Sequence, residues 1–145
     1  KVSLGITWEA EATRADGRFY WSGDITNPKA LEDREESDED GNPMYVKVLD
    51  NSDPENPVMV DSTERLVTKG LKSQWVAQVK DTAGSMLAGS DWMVIRKAER
   101  DVAIPLSVAE YRAAVVAASE SLETSIKAVT SVAELAALPM TWPEA

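Results

Sequence analysis

The chain contains no cysteine and no histidine among its 145 residues. Their absence excludes a disulfide framework, a Cys/His zinc site, a thiol nucleophile and every catalytic triad that uses an imidazole base. No stretch of about 18 consecutive apolar residues occurs, so the sequence predicts no membrane-spanning helix. The first residues carry neither an initiator methionine nor a signal-peptide pattern, which leaves open whether the natural chain starts here.

Acidic side chains outnumber basic ones, 25 to 15, for a net charge of −10. Such a surplus repels nucleic acid and anionic lipid surfaces, and no basic patch is visible in the sequence, so we expect neither as a partner. The surplus lies in residues 1–64, which hold 6 basic and 16 acidic residues, whereas residues 65–145 hold 9 of each.

The acidic half carries turn residues and strand patterns. Alternating apolar residues in 2–13, followed by an Asp-Gly turn and the aromatic residues 19–21, predict one β-hairpin. Residues 44–49 and 58–60 predict a second, because two prolines and two asparagines lie between them. The acidic stretch 32–40 separates the two hairpins, and its like charges predict a mobile, solvated loop.

Two binding interpretations arise in this half. Glu36, Asp38 and Asp40 have the 1-3-5 spacing of a calcium loop, with glycine at position 6, and the alternative is a solvated acidic loop. The aromatic residues near the first hairpin form either a sugar-stacking platform or part of the core, and they are Trp8, Phe19, Tyr20 and Trp21. A calcium- or carbohydrate-binding module of a phage adhesin is therefore the alternative function.

The second half carries helical patterns. Capping boxes at 61–64, 107–110 and 131–134 predict the starts of three helices, the first ending at Gly89. A break in the second helix is expected near 119–121. The predicted fold class is α+β, with an acidic module rich in β-hairpins at 1–61 and a three-helix module at 62–145.

Between the first two predicted helices lies an apolar run that begins at Trp92 and ends at Ile95. Such a run is expected to be buried, either as a connecting strand or turn that plugs the helical core or around a ligand pocket built on Trp92. Arg112, farther along, is expected to point outward or onto a carboxylate.

No constellation in the sequence carries catalysis. The acidic residues lie in turns or in the charged stretch, where nothing raises the pKa of one member of a pair for general acid catalysis. Neither Gly-Ser dipeptide completes a nucleophile elbow, and no phosphate-binding glycine motif occurs. We therefore expect a protein that is not an enzyme and that has no cofactor.

Residues 87–92 (LAGSDW), 108–115 (VAEYRAAV) and 140–143 (MTWP) resemble the signature of the small tail assembly chaperones and tail-fibre-associated proteins of tailed phages. The resemblance covers residues 66–145 and departs from the family pattern at Val108 and Val116. It implies a tail or tail-fibre structural component, or its assembly factor, that acts through contacts with other phage tail proteins. Its location is then the virion tail, and the host cytoplasm during assembly.

The predicted partner-binding residues are Trp92, Tyr111, Arg112, Trp142 and Pro143. Surplus apolar surface on the helices also predicts a homo-oligomer, for which the resemblance favours three copies and symmetry alone favours two. Trp142 stands on a short stiff arm after Pro139, and it docks either on its own core or on a neighbouring molecule.

Overall fold

The computed structural model describes residues 13–145, so the first strand of the first predicted hairpin lies outside the described part. The described residues form four helices and two antiparallel sheets of two strands each, with 45% of residues helical and 17% in strands. The α+β class is therefore confirmed. The aromatic residues of the first predicted hairpin enter a bridge between Tyr20 and Pro28 and a 3₁₀ turn at Trp21–Gly23.

The second predicted hairpin is confirmed. Strand β2 (Tyr45–Asp50) pairs with β3 (Val58–Arg65), with an irregularity in the register between Tyr45 and Lys47. The other two strands are short: β1 (Arg34–Glu35) pairs with β4 (Val67–Thr68). The predicted division of the chain at residue 61 falls inside β3.

A helix does not start at residue 61, so that prediction was wrong. Asp61 lies opposite Lys47 in the ladder and forms an ion pair with it at 2.5 Å, within a strand rich in β-branched residues. Helix α1 begins seven residues after the end of the predicted box, and it spans Leu71–Ala88 with Gly70 as its N-cap. Its end at Gly89 is confirmed.

Three more helices follow: α2 (Asp91–Arg100), α3 (Leu106–Ala128) and α4 (Val132–Ala137). Because α2 was not predicted, the number of three helices was wrong. Helix α3 continues through 119–121 without a break, and its N-cap is Pro105 with no side-chain cap. At α4 the predicted box forms, since the Glu134 N–H donates to Ser131 Oγ at 3.2 Å.

The acidic stretch is exposed to solvent, as its composition predicts, but it is not simply a loop. It contains β1, and three of its carboxylates pair with bases that follow in the sequence. Glu35 contacts Arg65 at 3.2 Å, Asp33 contacts Lys69 at 3.2 Å and Glu32 contacts Lys72 at 2.5 Å. The stretch therefore lies against the start of α1.

The core lies between α1, α3 and α4, and two aromatic residues of the acidic half enter it. Its buried members are Phe19, Tyr20, Leu71, Val79, Leu122, Ile126, Val129, Val132 and Leu135. Phe19 stacks on Trp75 with parallel rings 5.2 Å apart, which fastens the N-terminal segment to α1.

Candidate partner-binding surface

Arg112 joins the end of α1 to the start of α2. From α3, its Nη1 donates to the Leu87 carbonyl oxygen at 2.9 Å and to Ser90 Oγ at 2.6 Å, and its Nη2 donates to Asp91 Oδ1 at 2.9 Å. A planar guanidinium with several donors suits this three-way contact. The Leu87 carbonyl oxygen also accepts from the Ser90 N–H at 3.0 Å. Of the two orientations left open for Arg112, the structure shows the contact with a carboxylate.

Helix α2 exposes its apolar residues. Trp92 is 52% exposed and Ile95 is 57% exposed, Val94 is also exposed, and α2 has no buried residue. The expectation of a buried strand or turn that plugs the core was therefore wrong. The predicted site residue Trp92 lies on the surface, directly beside the Asp91 carboxylate that Arg112 holds.

The residues after the apolar run make this segment a helix. Residues 96–100 are arginine, lysine, alanine, glutamate and arginine, all strong helix formers, and two bases lie in the last turn. Asp101 ends the helix in the left-handed conformation with φ of 52°. On a helix, four successive apolar side chains point in different directions, so one neighbour cannot cover them all. The Arg96 guanidinium lies over the Trp92 ring at 4.8 Å.

We call Trp92, Val94 and Ile95, with the bases Lys97 and Arg100, the α2 surface. All five residues are exposed, and Arg100 makes no ion pair or side-chain hydrogen bond within residues 13–145. The surface combines large apolar side chains with positive charge on a helix that Arg112 holds at its start.

The remaining predicted residues are less exposed than Trp92. Tyr111 is half-buried and lines a hollow of about 330 Å³ together with Met86 and Ala145. Trp142 and Pro143 are also half-buried, and Trp142 packs against the core. Of the two alternatives left open for Trp142, the structure therefore shows docking on its own core.

The three calcium candidates do not form a common site. Glu36 pairs with Arg34 at 2.9 Å, and Asp38 Oδ1 accepts the N–H groups of Asp40 and Asn42 at 3.0 and 2.8 Å. The Asn42 side chain and backbone N–H lower the pKa of Asp38. Across residues 13–145 no three metal-ligating side chains gather at one point.

The aromatic residues do not form a sugar platform in the described part of the chain. Phe19 and Tyr20 are buried in the core, and Trp8 lies outside the described residues. Trp21 alone of the described three is exposed, at 56%, with the Lys29 ammonium 5.0 Å from its ring centroid.

Folding gathers a set of lysines that sequence reasoning missed. Lys69, Lys72, Lys80 and Lys127 line an open groove of about 590 Å³. Each of them is paired with a carboxylate, since Lys69 and Lys72 contact the acidic stretch and the other two contact Glu123. Lys127 first, and then Lys80, lower the pKa of Glu123. These carboxylates offset the groove's positive charge, and no sequence signal links lysines so far apart.

Comparison of the chain with protein-family models, with curated proteins and with solved structures finds no match. Within residues 13–145, no helix combines the length and the apolar character needed to cross a bilayer.

Proposed function

We propose that this protein is a non-enzymatic component of a tailed phage, either a tail or tail-fibre structural component or its assembly factor. It acts through contacts with other tail proteins and with copies of itself, in the virion tail or in the host cytoplasm during assembly. The resemblance of residues 87–92, 108–115 and 140–143 to phage tail proteins supports this proposal.

The observation that carries the proposal is the α2 surface. Full burial of one large apolar side chain stabilises a protein or complex by about 1.5–3 kcal/mol. In the single chain Trp92, Val94 and Ile95 are exposed, so much of this stabilisation is gained only when a partner covers them. Clustered apolar exposure of this kind marks protein contact sites. Since Arg112 fixes the start of α2, the surface is preorganised and loses little entropy on binding.

The structure gives less support to the alternative of a calcium or carbohydrate module. Asp38 already accepts hydrogen bonds from its own turn, and Glu36 pairs with Arg34. Phe19 and Tyr20 are part of the core and do not present their faces to a sugar. Protein contacts through α2 therefore fit the described residues better.

Mass spectrometry of purified phage particles and of the lysate that produced them tests the proposal. A structural component is expected in the particles, and an assembly factor only in the lysate, associated with tail proteins. Replacing Trp92 by alanine is expected to reduce particle yield. Trp21→Ala is the matched control, since both tryptophans are about equally exposed, at 52% and 56%. Absence of the protein from particles and from tail intermediates refutes the proposal.

A further inference from the structure

The far end of the β2–β3 hairpin is an exposed apolar arm. We call residues 47–61 the hairpin tip. Val48 lies opposite Val60, and Leu49 lies opposite Met59 on the other face of the ladder. All four side chains are exposed. A two-stranded hairpin alone is marginally stable in water, so such an arm gains stability when another surface covers it.

The hairpin tip is also acidic. Its residues 47–61 contain four acidic residues and one basic residue, Lys47. Asp50 and Asp53 accept hydrogen bonds within the turn, and Asp61 pairs with Lys47. Glu55 makes no ion pair or side-chain hydrogen bond to any of residues 13–145, so its charge remains available.

The α2 surface is complementary to the tip in both respects. Helix α2 (Asp91–Arg100) contains three basic and two acidic residues, next to the exposed Trp92 and Ile95. One of the two acidic residues, Asp91, is paired with Arg112. Each surface therefore combines apolar side chains with the charge that the other lacks. Within one chain the main contacts of β2 and β3 are with each other, and the apolar side chains of the tip and of α2 stay exposed.

We propose that the hairpin tip of one copy docks on the α2 surface of a second copy. The inference rests on the proposed function, to which it adds a specific self-contact. Because the two surfaces differ, the contact is head-to-tail, and it closes as a reciprocal dimer or as a ring. In this contact Trp92 and Ile95, which are three residues apart on α2, pack on one face of the tip, and Glu55 faces the basic end of α2.

Sedimentation velocity of the full chain over a concentration series tests the contact. The wild-type chain is expected to self-associate, more weakly as salt rises. Trp92→Ala is expected to raise the dissociation constant roughly thirtyfold, as tryptophans at interface centres do, and Trp21→Ala is expected to leave it unchanged. A wild-type chain that stays monomeric at every concentration refutes the proposal.

A charge exchange identifies the two surfaces. Glu55→Lys and Arg100→Glu are each expected to weaken self-association by up to about fivefold, as exposed ion pairs do. An equal mixture of the two variants is expected to regain the wild-type constant, because in a mixed complex every tip meets an α2 of opposite charge. The double variant Glu55→Lys/Arg100→Glu is expected to self-associate with the wild-type constant without a second variant, because its own tip and α2 again carry opposite charges.

Two results separate the contact from other arrangements. If Trp92→Ala abolishes self-association while Glu55→Lys leaves it unchanged, α2 binds something other than the tip and the proposal fails. If self-association is absent but the protein still occurs in phage particles, the self-contact fails while the proposed function stands. If the chain self-associates as predicted but is absent from particles and from tail intermediates, the proposed function fails while the self-contact stands.

Discussion

Replacing Gly70 by alanine tests whether the acidic stretch is held against α1. Gly70 is buried, and its backbone lies so close to the stretch that an added Cβ would stand 2.6 Å from the Leu31 carbonyl oxygen and closer still to that of Glu32. Its φ of −76° suits alanine, so the effect of the change is steric. Because the neighbours are backbone atoms, the stretch itself must move.

The expected loss follows from these contacts. Overpacking costs about 1–3 kcal/mol. The displaced stretch also loses the hydrogen bond from the Gly70 N–H to Asp33 Oδ1, 2.8 Å long, which contributes about 1 kcal/mol. We therefore expect Gly70→Ala to lower the free energy of unfolding by about 2–4 kcal/mol and the melting temperature by roughly 5–15 °C.

Chemical and thermal denaturation followed by circular dichroism measures this loss. Gly84→Ala is the matched control, since Gly84 lies inside α1 with nothing within 4 Å of its added Cβ. That change is expected to stabilise the protein by about 0.5–1 kcal/mol, because alanine favours helix. If Gly70→Ala stays within about 0.5 kcal/mol of the wild type, the acidic stretch is not held against α1 and the reasoning is wrong.

Three further predictions concern stability. Ser73, Gly70 and Lys69 donate to Asp33 and lower its pKa, so its stabilising contribution is present above the ordinary carboxyl pKa and is lost as the pH falls through the lower folded value. The difference in unfolding free energy between wild type and Asp33→Asn should therefore shrink as the pH falls below the ordinary carboxyl pKa. A difference that is the same at low pH as at neutral pH contradicts this. Arg112→Lys should lower the free energy of unfolding in urea by about 1–3 kcal/mol and speed amide exchange in α2, because lysine cannot make the three-way contact. Unchanged amide exchange in α2 would contradict this prediction. Trp142→Ala should cost about 2 kcal/mol with the oligomeric state unchanged in sedimentation, whereas a changed state places Trp142 in an interface.

The predictable parts of the fold are those with local signals. The β2–β3 hairpin has alternating strands and a turn rich in proline and asparagine, and the end of α1 has a glycine. The Ser131 box starts α4 because its capping partners are three residues apart. Asp61 shows the limit, because its box is a local signal that an ion pair across the β2–β3 ladder overrides.

Among the candidate site residues, the contact between Arg112 and a carboxylate was predictable and the exposure of Trp92 was not. The composition of the apolar run 92–95 fits a buried strand as well as an exposed helix, so the run alone does not predict which of the two forms. The helix formers at 96–100 carried the missing signal, because they extend the segment beyond the length of a short strand.

By itself the sequence determined the α+β class, the charge division, the second hairpin, the capped start of α4 and the end of α1 at Gly89, since these depend on neighbours within a few residues. Only the tertiary structure decided which surfaces are covered. The acidic stretch is ordered because bases 30 to 40 positions away neutralise it: Glu35 meets Arg65, and Glu32 meets Lys72. Trp142 is half-buried and Trp92 is exposed because burial depends on what the rest of the chain places beside each ring, which local pattern does not encode.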